Sequence, residues 1–305
     1  LDEEILSYLP NVVWHFDEPL ADPAALPTYL LSKEVSKHVK VVLSGEGGDE
    51  VFGGYDTFNY IDRLERMHNI SPVIRKYLLS PLFNSSSFFL KYPKKQISIL
   101  VSEILNDSDI KESAKKLFYL PFSSNDKKIL LPENDINYNT SFDSLIDKGD
   151  LHNGILEYYF KEWLPNDLLM KADKMGSAHG LEIRTPFLDK ELIQYFFRLD
   201  NSEKHRRKLF REVVKEKLPQ EILNRRKQGF TLPLSEWFTK PEILARVTPH
   251  LQDLKKRGIF NQNAIDNIIN NPGNFRNDHR IWVLLNFELW CKLYLDEINI
   301  EDVKV

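Results

Sequence analysis

The chain has 305 residues, 42% of them apolar and 28% charged, and a net charge of −4. That balance supports a sizeable buried core and excludes global disorder, and the small acidic excess gives no overall attraction to nucleic acid or to acidic membranes. No apolar run approaches the roughly 20 residues that span a bilayer, and the acidic start Leu1-Asp2-Glu3-Glu4 is unlike a signal peptide.

The chain lacks an initiating Met, so it is expected to begin inside a longer protein. Residues 2–18 read as helical pieces interrupted at Pro10. Asp22-Pro23 predicts a helix start, because Asp caps free amides and Pro suits the first turn. Leu26, Leu30, Leu31 and Val35 then recur at helical spacing through about Lys37. Val39-Lys40-Val41-Val42-Leu43 is short and β-branched, and predicts a buried parallel strand that runs straight into a Gly-rich segment at 44–54. Helix, strand, Gly-rich loop and helix in that order belong to an α/β nucleotide-binding sheet. Only one strand is evident, so its neighbours are expected upstream of Leu1.

Residues 56–150 read as a mostly helical insertion, with loops near Asn84–Ser87, Ser123–Asp126 and Asn134–Thr140. Beyond Gly154 the helical signal strengthens. Leu188, Leu192, Phe196 and Leu199 share a face after Phe187, with Asp189 and Glu191 in the first turn. Trp282, Leu285, Leu289, Trp290, Leu293 and Tyr294 form a broad stripe that predicts a core helix. Cys291, the single cysteine, lies in this stripe and reads as a small buried hydrophobe; it can form no internal disulfide, which is compatible with a reducing compartment. The eight histidines show no metal-ligand spacing.

The chemistry concentrates in Ser44-Gly45-Glu46-Gly47-Gly48-Asp49-Glu50-Val51-Phe52-Gly53-Gly54. Five glycines let the backbone turn sharply and approach a ligand. A loop between a strand and a helix presents amides to an anion, whereas its three carboxylates would repel a bare phosphate. A Mg²⁺ ion, which bridges carboxylate to polyphosphate, resolves that conflict and leaves a carboxylate for chemistry. Between Lys204 and Lys227 stand ten Lys or Arg and three Glu. Most of these fit a solvated face of a helix over Arg206–Leu218 ended by Pro219; a lysine just ahead of Gly229, however, is placed to neutralise a departing pyrophosphate. In Lys171-Ala172-Asp173-Lys174 and Glu182-Ile183-Arg184, the alternating charges fit either surface ion pairs or a carboxylate-substrate contact.

Ser44–Tyr55 resembles the signature loop of asparagine synthetases. Four further segments resemble the same family, in family order: Asp17–Pro23, Leu168–Lys174, Glu182–Asp189 and Arg226–Phe230. The resemblance implies an α/β, adenine nucleotide α-hydrolase-like fold of PP-loop ATPase type, mostly helical here, with residues 1–305 forming one synthetase domain that carries an insertion at about 56–150. It implies a cytoplasmic ligase that uses ATP and Mg²⁺ to adenylate aspartate, giving β-aspartyl-AMP, which ammonia converts to asparagine. Carried over residue by residue, Glu46 and Lys227 are catalytic, with Lys227 on pyrophosphate. Ser44, Gly45, Gly47, Gly48 and Asp49 contact the nucleotide, Asp49 through Mg²⁺. Asp173, Glu182 and Arg184 are expected to bind substrate or to support groups that do.

The resemblance also has gaps. The family's other phosphate loop, Ser-Gly-Gly-x-Asp-Ser, and its N-terminal glutaminase domain are expected upstream of Leu1, so the chain alone is expected to be inactive. Phe160 and Leu168 stand where some relatives carry a carboxylate. No nucleic-acid or membrane partner is expected, and a homodimer is among the assemblies the resemblance allows. A β-lactam synthetase or peptide cyclase, or a non-catalytic nucleotide-binding relative, remains the alternative.

Overall fold

The computed structural model describes residues 3–90, 94–118, 121–122, 124–132, 142, 151–198, 208–225, 229–274 and 276–305. The chain divides into two compact units, one of Leu1–Gly54, Asn125–Asp135 and Tyr159–Val305, the other of Tyr55–Ser124 and Ile136–Tyr158.

In the first unit a 3-10 turn, Glu3–Tyr8, leads into the helix Leu9–Phe16. Pro10 stands in that helix's first turn, where no amide donor is required, so it starts the helix rather than interrupting it. Leu6, Leu9, Val13 and Phe16 are buried on one side. The next helix, Ala25–Val35, begins just after Asp22, whose Oδ1 accepts the Ala24 amide at 2.9 Å.

Strand β1 (Val41–Leu43) pairs in parallel with β2 (Glu182–Arg184), Val41 opposite Glu182 and Leu43 opposite Arg184. The expectation of a buried strand is not met: Val42 is half-buried, but Leu43 is 74% exposed. Alternate residues of a strand point to opposite faces, and only the Val42–Ile183 face is backed. Ile183 reaches the position a side chain on Gly176 would take, so this face leans on the helix Met170–Ser177.

The C-terminal helix Asn277–Trp290 continues as a π turn over Cys291–Leu295. Trp282, Leu285, Leu289 and Cys291 are buried along it, and burial pushes the Cys291 thiol up, as expected of a small hydrophobe. The same helix holds the chain around residues 14–21. Trp282 Nε1 donates to the Ala21 carbonyl at 3.0 Å, Trp290 Nε1 to the Asp17 carbonyl at 3.1 Å, and the Tyr294 hydroxyl to the Trp14 carbonyl. A bidentate ion pair from Arg257 to the fully buried Glu288, at 2.5 and 3.0 Å, ties the segment after Pro241–Lys256 to this helix. The basic helix expected over 206–218 spans Lys208–Val214 among the described residues, and Pro219 precedes a further short helix, Gln220–Asn224.

The second unit is helical: Thr57–His68, Pro72–Ile74 running into the π turn Arg75–Leu79, Ser80–Ser87, Lys94–Asn106, Ile110–Phe118 and Leu151–Tyr158. Asn84–Ser87, expected as a loop, closes a helix instead. Ser86 Oγ donates to the Phe83 carbonyl and Ser87 Oγ to the Asn84 carbonyl, so these hydroxyls are satisfied within the turn. Ser124–Leu130 is likewise helical where a loop was expected over Ser123–Asp126. Asn134–Thr140 lies outside the described residues.

Candidate functional site

The Gly-rich loop leaves β1 at Ser44, whose amide donates to the Arg184 carbonyl at 2.8 Å, so both strands fix where the loop begins. Ser44 Oγ then accepts the Glu46 amide at 3.2 Å, and the Gly48 amide donates to the Gly45 carbonyl at 3.2 Å. Two loop amides are therefore consumed internally. The following helix, Gly48–Phe52, has five residues and carries Asp49 and Glu50 in its first turn, with Glu50 buried. Charge neutralisation at this loop thus rests less on a helix end than the sequence pattern implies.

The loop is held from below. Phe52 meets Phe187 and Phe196 edge to face, with ring centroids 5.4 and 4.9 Å apart, and Phe187 fills the space beside Gly48. Gly47 has φ +84°, and a Cβ there would lie 2.2 Å from Leu188 Cδ2. Gly47→Ala is therefore expected to cost about 1–3 kcal/mol of unfolding free energy, read by urea denaturation. An unchanged denaturation midpoint would show that the loop relaxes freely.

Beside the loop lies a buried charged group. Lys171 Nζ is 2.7 Å from Asp22 Oδ2, with both side chains largely removed from solvent. Glu46 and Asp167 are close enough to act on the same lysine. Burial works against the Lys171 ammonium, but Asp22, Asp167 and Glu46 together hold its pKa above the usual lysine range. Burial also pushes the Glu46 carboxyl up, with Lys171 pulling against it and Asp22 adding repulsion. Asp167 is pushed up to about 7, first by burial and then by the charge of Asp22, with which it also shares a hydrogen bond. Asp167 Oδ1 is buried with no hydrogen-bond partner among the described residues. Two carboxyls this close share a proton more readily than they both ionise.

The fold brings these four residues together by fixing the chain on both sides of Asp22. Trp282 and Trp290 hold the carbonyls of Ala21 and Asp17. Opposite them, the helix Met170–Ser177 presents Lys171 to Asp22 and Lys174 to Asp17, the latter pair at 2.6 Å. Asp167 lies one turn before Lys171, in the π-helical stretch Tyr159–Leu169 that carries Pro165 within it. Pro165 removes an amide donor, and such widened turns recur at functional sites.

Of the residues singled out from sequence, Ser44 to Asp49 form this loop, and Glu46 faces the buried group. Glu182 and Arg184 pair with each other at 2.8 Å on β2, exposed, next to the strand that feeds the loop. Asp173 is exposed on the helix that carries Lys171. Lys227 lies outside the described residues. Asp22, Asp167 and Lys171 were not assigned to the site from sequence. Asp22 and Lys171 lie in the family-like segments Asp17–Pro23 and Leu168–Lys174, and Asp167 stands at i, i+4 spacing from Lys171.

The asparagine synthase family model matches residues 1–292. The chain is 31% identical over 305 residues to an asparagine synthetase (glutamine-hydrolysing) of Bacillus subtilis, covering 97% of this chain and 47% of that protein. It is 29% identical over 310 residues to a putative asparagine synthetase (glutamine-hydrolysing) of Mycobacterium bovis, covering 96% of this chain and 45% of the relative. It is also 26% identical over 266 residues to the amidase chry2 of Gibberella zeae, covering 78% of this chain and 39% of the relative. The chain spans about half the length of the asparagine synthetases it matches.

Proposed function

This chain belongs to the asparagine synthase family, and we propose that it carries the ATP-using half of an enzyme that converts aspartate to asparagine. Its fold is of the PP-loop ATPase-like class, mostly helical about a small parallel sheet.

In this reading the aspartate side-chain carboxylate attacks the α-phosphorus of ATP, the bond to pyrophosphate breaks, and β-aspartyl-AMP forms. Ammonia then attacks the acyl carbon, AMP leaves, and the new nitrogen loses a proton. Glu46 accepts that proton. The observation that carries this role is the placement of Glu46 at the loop, part-buried beside Lys171, with burial raising its pKa toward the range useful in a general base. Asp167 and Asp22 hold Lys171 charged and in place beneath Glu46.

Ser44, Gly45, Gly47 and Gly48 line the nucleotide phosphates, and Lys227 neutralises the pyrophosphate as it departs. Mg²⁺ fits the donor set: Asp49 offers a hard carboxylate oxygen at the head of a short helix, beside loop amides that suit phosphate. When bound, the ion would offset the charge of the polyphosphate. Glu182 and Arg184, paired at the edge of the sheet, and Asp173 assist the substrate carboxylate and ammonium groups. The matched relatives are about twice as long and are named for glutamine hydrolysis, which supports a reading in which a glutaminase part of a longer protein supplies the ammonia.

The experiment is to follow AMP and pyrophosphate release from ATP in the protein extended upstream of Leu1, with and without aspartate and ammonia. Release that requires aspartate supports the reading; release indifferent to aspartate overturns it. The relative named an amidase favours a second reading, in which the substrate is another carboxylate or its amide. In that case a different acid would restore AMP release.

A further inference from the structure

The hairpin of the second unit carries a polar seam between its helices. Ser80–Ser87 packs along Lys94–Asn106. The seam between them is made of hydroxyls: Ser80 Oγ lies 2.9 Å from Ser102 Oγ, and Ser86 Oγ lies 2.8 Å from Ser98 Oγ, with Asn106 Nδ2 donating to Ser80 Oγ at 2.7 Å. Apolar side chains just before and just after the first of these helices are exposed, while Ile104 and Leu105 of the second are buried. Tyr77 is 72% exposed, Phe88 82% and Phe89 90%, with Val73, Leu78 and Leu82 exposed nearby. Exposed apolar side chains gathered in one stretch of chain suit an interaction surface.

The charge of the segment identifies the partner's chemistry. From Ile70 to Ser102 the sequence carries five Lys or Arg and no carboxylate, the exposed Glu103 following on the second helix, in a chain whose net charge is −4. Arg75 is occupied within the fold, donating to the carbonyls of Ile70 and Asp107. Lys76 is exposed 5.8 Å from the Tyr77 ring centre, and Lys94 is exposed at the start of its helix. Exposed aromatic and aliphatic side chains flanked by lysines suit the headgroup layer of an acidic membrane. A second copy of the chain would bring like charges together across a two-fold interface. The two helices have 8 and 13 residues, and no described helix is long and apolar enough to cross a membrane. The geometry points to docking of this hairpin face on an anionic lipid surface. The low net charge of the whole chain conceals a local cationic, apolar face.

The test is co-sedimentation of the full chain with vesicles of phosphatidylcholine alone or mixed with phosphatidylglycerol. Binding is expected to the mixed vesicles only, and to weaken as salt is raised. The double substitution Phe88→Ser, Phe89→Ser is expected to lower partitioning at least about tenfold without moving the melting temperature, since both rings are already in solvent. Lys76→Gln with Lys94→Gln, which leaves every ring in place, is expected to lower it roughly 25-fold, about fivefold per charge. Absence of binding to the mixed vesicles, or binding unchanged in both variants, overturns the proposal. So does a concentration-dependent dimer that the Phe substitutions abolish in a protein that ignores vesicles, which would assign the face to a second copy.

Discussion

Glu46→Gln is expected to slow asparagine formation by about 10²–10⁴-fold, the usual contribution of a positioned general base, while ATP binding is retained. The substitution keeps the side chain's size and removes its ability to take a proton. Because Glu46 is only part-buried and its amide, not its carboxylate, is tied to Ser44 Oγ, the loop geometry should persist. The pH profile adds a second readout. A base works only when ionised, so the rate should rise with pH through the Glu46 pKa. That rise should lie above the ordinary carboxylate range, because burial raises the pKa. In Glu46→Gln that rise should vanish once the rate is expressed per unprotonated ammonia, whose own share grows with pH. The measurement is single-turnover formation of asparagine from ATP, aspartate and ammonia, alongside equilibrium binding of ATP. Lost ATP binding would show that Glu46 supports the nucleotide instead of moving a proton.

How much of this site the sequence discloses depends on how far apart its parts lie along the chain. The loop is legible because Gly47, Gly48, Glu46 and Asp49 are neighbours, and the glycine pattern has a local cause at Gly47, where φ is positive and Leu188 occupies the side-chain position. Gly45 is different: a Cβ there meets nothing within 4 Å, so no contact in this chain requires it. The charged group beneath the loop is not legible, since Asp22 and Lys171 are 149 residues apart and meet only once two tryptophans have fixed the chain around Asp22. His152 gives the same lesson. Spacing along the sequence shows no metal-ligand pattern, yet the second unit places ligand atoms of His152, Asp62 and Glu65 within 4.8 Å of one another. Strand β2 escaped notice because Ile183 is flanked by Glu182 and Arg184, and a three-residue strand has too little alternation to register. Asn84–Ser87 reads as loop because serine hydroxyls compete for backbone groups; in the hairpin that same capacity joins two helices, Ser86 to Ser98.

Lys171→Met is expected to lower the free energy of unfolding by about 3–5 kcal/mol near neutral pH, since it leaves Asp22 charged, buried and without its cation. Methionine nearly matches the lysine stem in length, so the loss is one of charge, not of volume. The remaining carboxyls then repel one another with nothing to offset them, and Asp167 and Glu46, which Lys171 pulls down, move further up. A carboxyl whose pKa is higher in the folded than in the unfolded state binds more protons when folded. Its stabilising contribution is complete below the unfolded value, near 3.9, and is lost as pH rises through the folded value. Asp167 already gives the natural chain such a slope, with stability falling as pH rises toward and through about 7. In Lys171→Met the slope should steepen, so that part of the lost stability returns on acidification toward the unfolded carboxyl range. Adding Asp167→Asn should flatten it again, because one titrating carboxyl is gone. Denaturant unfolding followed across that range of pH reads all three chains. A Lys171→Met protein as stable as the natural one at neutral pH would mean that water reaches Asp22. The cluster would then be a solvated ion pair, and Lys171 would no longer account for how Glu46 is held at the loop.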